Sequence, residues 1–421
     1  MDNNKISYIF NLLILSFLTI QVFSISFSIA VSSIAFGIWG GLWIIQIIYE
    51  RKINCDKNTF KQLRLSNIFL LIYFFFEVIS RIFAVIPDGA FIGLKRLLLF
   101  LIFFVTIIKV SSKEDLYRII VIVLIIFSVI SVYEIIKYIL SLNELLKTTT
   151  ASEIRIEYFA YPLTSGEMKM FIVLSIFPVL IASKKLIIRR AYLILALLPI
   201  IISMLLTQSR NVFLAIFICL LIYGFFNRKF LIAYIIILVA GAIFLPQSYK
   251  ERVTSIFDPK HPSNESRIIM WETGIKMFKD HPLTGVGDNQ ITQVYKMYKT
   301  IDRHGEGAHL HSNYMMILAT TGIFGFIAYL GYFISIFLAQ IKIYKLPGDN
   351  VDRAFILGSI LTNIAFHIAG IFEWIFGDHE VMTVFFFLIA IPFVILKLNQ
   401  NNLPSPEDSA DRLINVNKIS K

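Results

Sequence analysis

Ser266-Arg267-Ile268-Ile269-Met270-Trp271, then His309-Leu310-His311-Ser312-Asn313-Tyr314, then Gly322-Ile323-Phe324-Gly325 are the marked features of the stretch 246–325. This stretch opens as the only long polar segment of a hydrophobic chain and runs straight into an apolar helix. It crowds basic and imidazole groups against a membrane surface, so the chemistry is sought here.

Outside it, the composition decides the class. Of 421 residues, 57% are apolar and 16% charged, and the mean hydropathy is +0.75. Apolar runs of about 18–22 residues recur, the length needed to cross a bilayer. The chain is predicted to be an all-α polytopic membrane protein, one transmembrane domain over 1–398. Spans are placed at 6–27, 30–49, 66–86, 91–110, 116–140, 163–182, 191–207, 211–226, 230–246, 311–340, 353–375 and 380–398, about twelve in all. No internal repeat stands out. No pair of Gly/Pro-broken helices occupies matching places in two halves, which weakens a secondary-transporter assignment.

The net charge of +11 reports topology more than partners. One set of connections carries Arg51, Lys52, Lys57, Lys61 and Arg64; Lys109 and Lys113; Lys184, Lys185, Arg189 and Arg190; Arg228 and Lys229; Lys342 and Lys345. The alternate set, around Pro87-Asp88-Gly89, Gln208-Ser209-Arg210 and Gly377-Asp378, is short and poor in charge. Short basic loops stay inside, so both termini are cytoplasmic and the 247–310 loop, between the ninth and tenth spans, lies outside. Its nine basic residues do not oppose this, because long loops are largely exempt from the rule. No soluble basic face suits nucleic acid. Cys55 and Cys219 support neither a disulfide nor a metal cluster. The first apolar run, from Ile6, is too long for a signal-peptide core and reads as an uncleaved helix. The tail 399–421 is polar, holds Pro404 and Pro406, and is expected to be disordered and cytoplasmic.

Within the outer loop, Ser263-Asn264-Glu265-Ser266 offers helix caps, and His281-Pro282 with Gly285 and Gly287 offers a stop. Between them Ile268, Trp271, Ile275 and Phe278 recur near helical spacing, predicting a short amphipathic helix. Trp271 suits a membrane interface, and Arg267, four residues before it, shares its face and points at a headgroup. An ordinary surface helix with a solvated arginine would give the same pattern. Arg210 sits at the outer tip of two apolar helices, where a lone guanidinium needs a reason. Lys95 and Arg96 lie near the outer start of the fourth span, where snorkelling to lipid is the plainer account. A guanidinium fork can bind two oxygens of a pyrophosphate at once.

His311 opens the tenth span at the outer surface, where a neutral imidazole can take a proton from a hydroxyl. A helix-end histidine bonded to backbone is the commoner case. His309 would point elsewhere on a helix, and Gly322 and Gly325 are spaced for close helix packing. No Asp-x-Asp pair, Gly-rich phosphate loop or His-Glu-x-x-His motif occurs. A nucleotide donor, ATP and a catalytic zinc are unsupported, and no cofactor is expected.

These residues resemble the bacterial O-antigen ligase and polymerase superfamily of membrane glycosyltransferases. The ligases carry a His followed by Asn, Ser or Gln, nine residues and Gly-x-x-Gly, as in His311-Ser312 and Gly322-Ile323-Phe324-Gly325. Arg210 and Leu214 match an Arg-x-x-x-Leu at an outer helix tip. Arg267, Trp271 and Pro282-Leu283-Thr284-Gly285-Val286-Gly287 match the long-loop pattern. The resemblance implies a GT-C-like glycosyltransferase with its active site facing the periplasm of the inner membrane. It implies transfer of O-antigen from undecaprenyl pyrophosphate to the lipid A–core acceptor, without metal or ATP. Arg210 and Arg267 would then hold the pyrophosphate, helped by Lys95 or Arg96. His311 would be the general base, giving inversion. Glu373, Asp378, His309 and Trp271 would orient substrates.

The alternative is the polymerase of the same superfamily, which often shows Arg-x10-Gly in an earlier outer loop, a spacing Arg155 and Gly166 meet. A polysaccharide or lipid transporter would need ionisable groups deep in the membrane. Glu77, Arg81 and His367 are candidates, although an ion pair within one helix explains the first two.

Overall fold

The structure, a computed structural model, describes residues 3–52, 56–89, 91–148, 154–182, 189–244, 247–256, 258–299 and 309–401. Cys55, Lys184, Lys185, the outer-loop part 300–308 and the tail beyond 401 lie outside these residues.

All regular structure among the described residues is helical. The first α-helices are α1 (Asn3–Ser24), α2 (Ile29–Glu50), α3 (Lys57–Gln62), α4 (Arg64–Ile82), α5 (Phe100–Lys109), α6 (Lys113–Thr148), α7 (Pro162–Ala182) and α8 (Arg190–Leu206). They continue as α9 (Arg210–Phe226), α10 (Arg228–Phe244), α11 (Gln247–Thr254), α12 (Pro262–Asp280), α13 (Ile291–Tyr298), α14 (Asn313–Tyr344), α15 (Asn350–Phe372) and α16 (His379–Asn401). Short 3-10 helices cover Ile92–Leu99 and Ile375–Gly377.

Each expected span falls on a helix, but not all are equal. Eight helices (α1, α2, α4, α6, α7, α14, α15 and α16) are long and apolar enough to cross a membrane. The chain is a multi-pass membrane protein on that evidence. Helices α8, α9 and α10 have 17 residues each, about 25 Å at 1.5 Å per residue. The span expected at 91–110 divides into the 3-10 turn Ile92–Leu99 and a ten-residue α5. At that turn a side chain on Gly93 would meet Arg81 Nη1 at 2.8 Å, because a buried charge cluster lies beneath it.

Position in the bundle follows hydrophobic patterning. Helix α16 is apolar on every side, and 94% of its apolar window is inside the protein, against 22% for α2. Helices α4 and α14, α7 and α15, and α6 and α8 pack along their lengths. One end of α15 is tied down by Lys113 Nζ, 2.7 Å from Asp352 Oδ2 and 3.2 Å from Asp349 Oδ2. Its other end meets the starts of α9 and α14 and the side of α12. The candidate site lies there.

The 247–310 loop contains the predicted helix, with one correction. Its cap is His261, whose Nδ1 accepts from Ser263 N at 3.4 Å, not the serines that follow. Its buried face is Ile269, Met270, Thr273, Gly274 and Met277, while Ile268 and Ile275 stay 42% and 40% exposed. A small core of Met270, Met277, Val286, Val294 and Leu310, closed by Met316 of α14, sets the helix rotation and leaves the predicted apolar stripe of Ile268 and Ile275 on the outside. Gly274 allows it, since a Cβ there would stand 2.8 Å from Leu310 Cδ1.

The glycines of the tenth span act differently from expectation. Gly322 (φ 69°, ψ −173°) breaks α14. Backbone groups freed by the break pair with the Pro282–Gly287 segment: Ile323 N donates to Pro282 O at 2.9 Å, Val286 N to Ala319 O at 2.9 Å and Gly287 N to Thr320 O at 3.1 Å. A Cβ on Gly322 would lie 2.5 Å from Leu283 O. Gly325 does serve close helix packing, against Phe76 of α4. The two glycine motifs, far apart in sequence, form one joint.

Candidate active site

The site begins with the start of α14. Ser312 caps it, its Oγ accepting from Met315 N at 3.4 Å. The residue before, His311, takes the left-handed conformation (φ 43°), unusual for a side chain with a Cβ. That turn swings its imidazole to the end of α15. Glu373 is the extended residue that closes α15. Nδ1 of His311 lies 2.8 Å and 3.0 Å from the two Glu373 oxygens. Asn313 fixes the register between the strands of backbone, its Oδ1 accepting from Phe376 N at 3.0 Å. Gly370 makes room, because a Cβ there would meet Asn313 Nδ2 at 2.3 Å.

Glu373 is buried, and burial opposes its ionisation. The hydrogen bond and charge of His311 outweigh that and hold its carboxyl below the ordinary carboxylate range. The geometry suits Nδ1–H donating to Glu373, which leaves Nε2 with a lone pair for an incoming proton.

His309 does not point elsewhere. The helix starts only at Asn313, so the two imidazoles stand side by side with centroids 4.1 Å apart. His309 Nδ1 accepts from His311 N at 3.2 Å. Burial first, and then the neighbouring His311, push the His309 imidazole down to about 4, so it is neutral near pH 7. His309, His311 and Glu373 bring three ligand-type atoms within 4.8 Å of one another. Arg267 Nη2 stands 3.7 Å from Glu373 Oε2 and brings positive charge to the same carboxylate.

Arg267 also donates through Nε to Phe372 O at 2.9 Å. It shares a cavity of about 320 Å³ with Arg210, Arg155, Asn211, Trp271 and Phe372. Arg210 is the first residue of α9. Its Nη1 donates to Ser255 O at 3.0 Å, and its Nη2 to Ser263 Oγ of α12. Trp271 sits against Phe372 with centroids 6.1 Å apart, and its buried Nε1 has no hydrogen-bond partner. It lines the cavity, as does Arg267, so the expected shared face is present.

The turn that carries Arg210 is braced by the residues of the Arg-x10-Gly spacing. Arg155 donates to Thr207 O at 2.9 Å and Gln208 O at 3.2 Å. Gly166 lies against the same turn, where a Cβ would meet Thr207 Oγ1 at 2.8 Å and Ser209 Oγ at 3.3 Å. Gln208 returns a bond to Ile154 O at 2.9 Å. The spacing in the sequence thus marks a clamp on Arg210 and a third guanidinium on the cavity wall, a role that the sequence alone did not disclose.

The remaining candidates are engaged elsewhere than on the cavity wall. Lys95 is exposed. Arg96 is absent from the cavity wall and engages Asp288 at 2.8 Å and Glu77 at 3.3 Å. Glu77 also pairs with Arg81 at 3.1 Å, the ion pair expected within α4. Asp378 caps α16 through Glu380 N at 3.0 Å and accepts from Thr164 Oγ1 at 2.6 Å. His367 Nδ1 is 2.9 Å from Tyr314 OH beside an apolar cleft between α14 and α15, so it too is paired within the protein.

Residues 194–330 match a family model described as O-antigen ligase. No curated protein matches the chain. The matched stretch holds Arg210, Arg267, Trp271, His309 and His311, whereas Arg155 and Glu373 come from outside it. Over residues 194–330 this multi-pass membrane protein is therefore similar to the O-antigen ligase family, which supports a relationship to the O-antigen ligase and polymerase superfamily.

Proposed function

We propose that the protein is an O-antigen ligase, acting as one transmembrane unit over 1–398 in the bacterial inner membrane with the site facing the periplasm. The observation that carries this is the single residue Arg267, which touches Glu373 of the His311 dyad and lines the arginine-walled cavity. A base and an anion site are thereby adjacent, as transfer from a lipid pyrophosphate requires.

His311 Nε2 takes the proton of a sugar hydroxyl on the lipid A–core acceptor, and the oxygen attacks the anomeric carbon of the glycan. The bond from that carbon to the pyrophosphate oxygen breaks, and undecaprenyl pyrophosphate leaves with the electron pair. Attack opposite the leaving group inverts the anomeric centre. Arg210 and Arg267 stabilise the charge that develops on the pyrophosphate, and the cavity arginines orient it before reaction. The leaving group drives the reaction, so neither a metal nor a nucleotide enters the scheme. Trp271 offers a ring face and an N–H to the first sugar.

A polymerase joining repeat units on two lipid carriers is the second reading, favoured by Arg155 and Gly166 on the same turn. Deleting the gene separates them. A ligase leaves cores bare while long glycans accumulate on the carrier, and a polymerase leaves cores with single repeat units. Reconstitution with both lipid substrates tests the chemistry. His311→Ala should abolish transfer without loss of carrier binding, and retained transfer would remove His311 from the base role.

A further inference from the structure

We propose that Arg96 is a positioning residue: held by Glu77 and Asp288, its guanidinium forms the platform on which Trp374 sets Glu373 against His311. The proposal rests on the dyad reading above.

The platform starts from a charge-balanced cluster of two arginines and two carboxylates. Arg81 Nη2 lies 3.1 Å from Glu77 Oε2 and 3.2 Å from Asp288 Oδ2. Arg96 Nη2 lies 2.8 Å from the same Asp288 oxygen and 3.3 Å from Glu77 Oε1. Tyr73 OH closes the cluster by donating to Glu77. Burying such charges is costly unless they are paired, and here each charge faces two of opposite sign. The cluster joins α4, the 3-10 turn Ile92–Leu99 and the outer loop, for Asp288 directly follows the Pro282–Gly287 segment docked on α14.

Arg96 has a second face. Its Cζ stands 5.3 Å from the Trp374 ring centroid and 5.7 Å from that of Phe376. Trp374 N donates to Glu373 Oε1 at 3.1 Å, the oxygen that also meets His311. Phe376 N is held from the other side by Asn313. The Glu373–Gly377 turn is thus pinned between Asn313 of α14 and the Arg96 guanidinium. An arginine can meet two carboxylates at its edge, here both through Nη2, while its flat face carries positive charge to two rings. With its Nη2 donors committed to those carboxylates and its side chain off the cavity wall, Arg96 is not placed as a phosphate ligand.

Full-length protein in nanodiscs, assayed with lipid-linked glycan and acceptor, tests this through Arg96→Gln and Trp374→Leu. The second variant leaves the ion cluster intact and guards against a simple folding failure. Both should lower kcat roughly 10- to 100-fold, the usual effect of a small misplacement at a reacting centre. The donor KM, and calorimetric affinity for undecaprenyl pyrophosphate, should stay within about twofold in both. Arg96→Lys should not restore kcat, and the double variant should be no worse than either single one. A roughly tenfold rise in donor KM or Kd for Arg96→Gln would make Arg96 a phosphate ligand and overturn the proposal. So would a wild-type kcat in Trp374→Leu. Absence of transfer by the wild-type protein would instead sink the functional reading, which the variants do not test.

Discussion

Oε1 of Glu373 lies 2.8 Å from Nδ1 of His311, across 62 residues of sequence. A carboxylate there holds the imidazole in one tautomer and supports its protonated form once it has taken a proton. Glu373→Gln keeps the shape but loses the charge and can face His311 with a donor. The single-turnover transfer rate should fall roughly 10²–10⁴-fold, the range for a disabled base, with carrier affinity little changed. A rate within about threefold of wild type would leave the dyad without a catalytic role.

Gly322 and Gly325 should respond unequally to alanine. At Gly322 (φ 69°) the new Cβ is both strained and 2.5 Å from the Leu283 carbonyl, a backbone atom that cannot step aside. Gly322→Ala should cost about 2 kcal/mol or more and release the Pro282–Gly287 segment. Limited proteolysis should then cut the outer loop faster than in wild type. At Gly325 the nearest obstruction is the Thr321 side chain, which can turn, so Gly325→Ala should be milder. Equal sensitivity would argue against the docked joint.

His309 links stability to pH. Its folded-state value of about 4 lies below the ordinary imidazole value of 6.5, so between those two the unfolded chain binds a proton that the folded chain refuses. Stability should therefore rise with pH through that window and level off above it. His309→Gln should flatten this part of the profile in thermal melts of detergent-solubilised protein. Glu373 acts in the same direction at lower pH: its depressed value contributes stability above the ordinary carboxylate range that is lost on acidification. An unchanged slope in His309→Gln would mean that His309 titrates freely.

Much of the fold was legible because a bilayer imposes a length and a polarity on every crossing helix. The spans at α1, α2, α4, α6, α7, α14, α15 and α16 follow from that rule alone. The rule says little about a helix inside the protein, so it missed the broken helix at 92–109 and the two extra helices of the 247–310 loop. Nor does it see the second, buried face of α12, because Met270 and Met277 pack on Val286, Val294 and Leu310, which lie elsewhere in the loop.

By itself, then, the sequence determined the class of molecule, the helices that carry it, and the identity of Arg210, Arg267 and His311 as the groups worth finding. Local patterns suffice for these, since apolar periodicity and motif spacing are properties of short segments. Only the tertiary structure decided which groups meet. Glu373 reaches His311 because Gly370 admits Asn313, and Arg155 reaches the Arg210 turn because Gly166 leaves it room. Arg96, alike in sequence to a phosphate ligand, is taken up by Asp288 from the far loop. Such pairings depend on close approach between distant segments, and no periodicity within either segment records it.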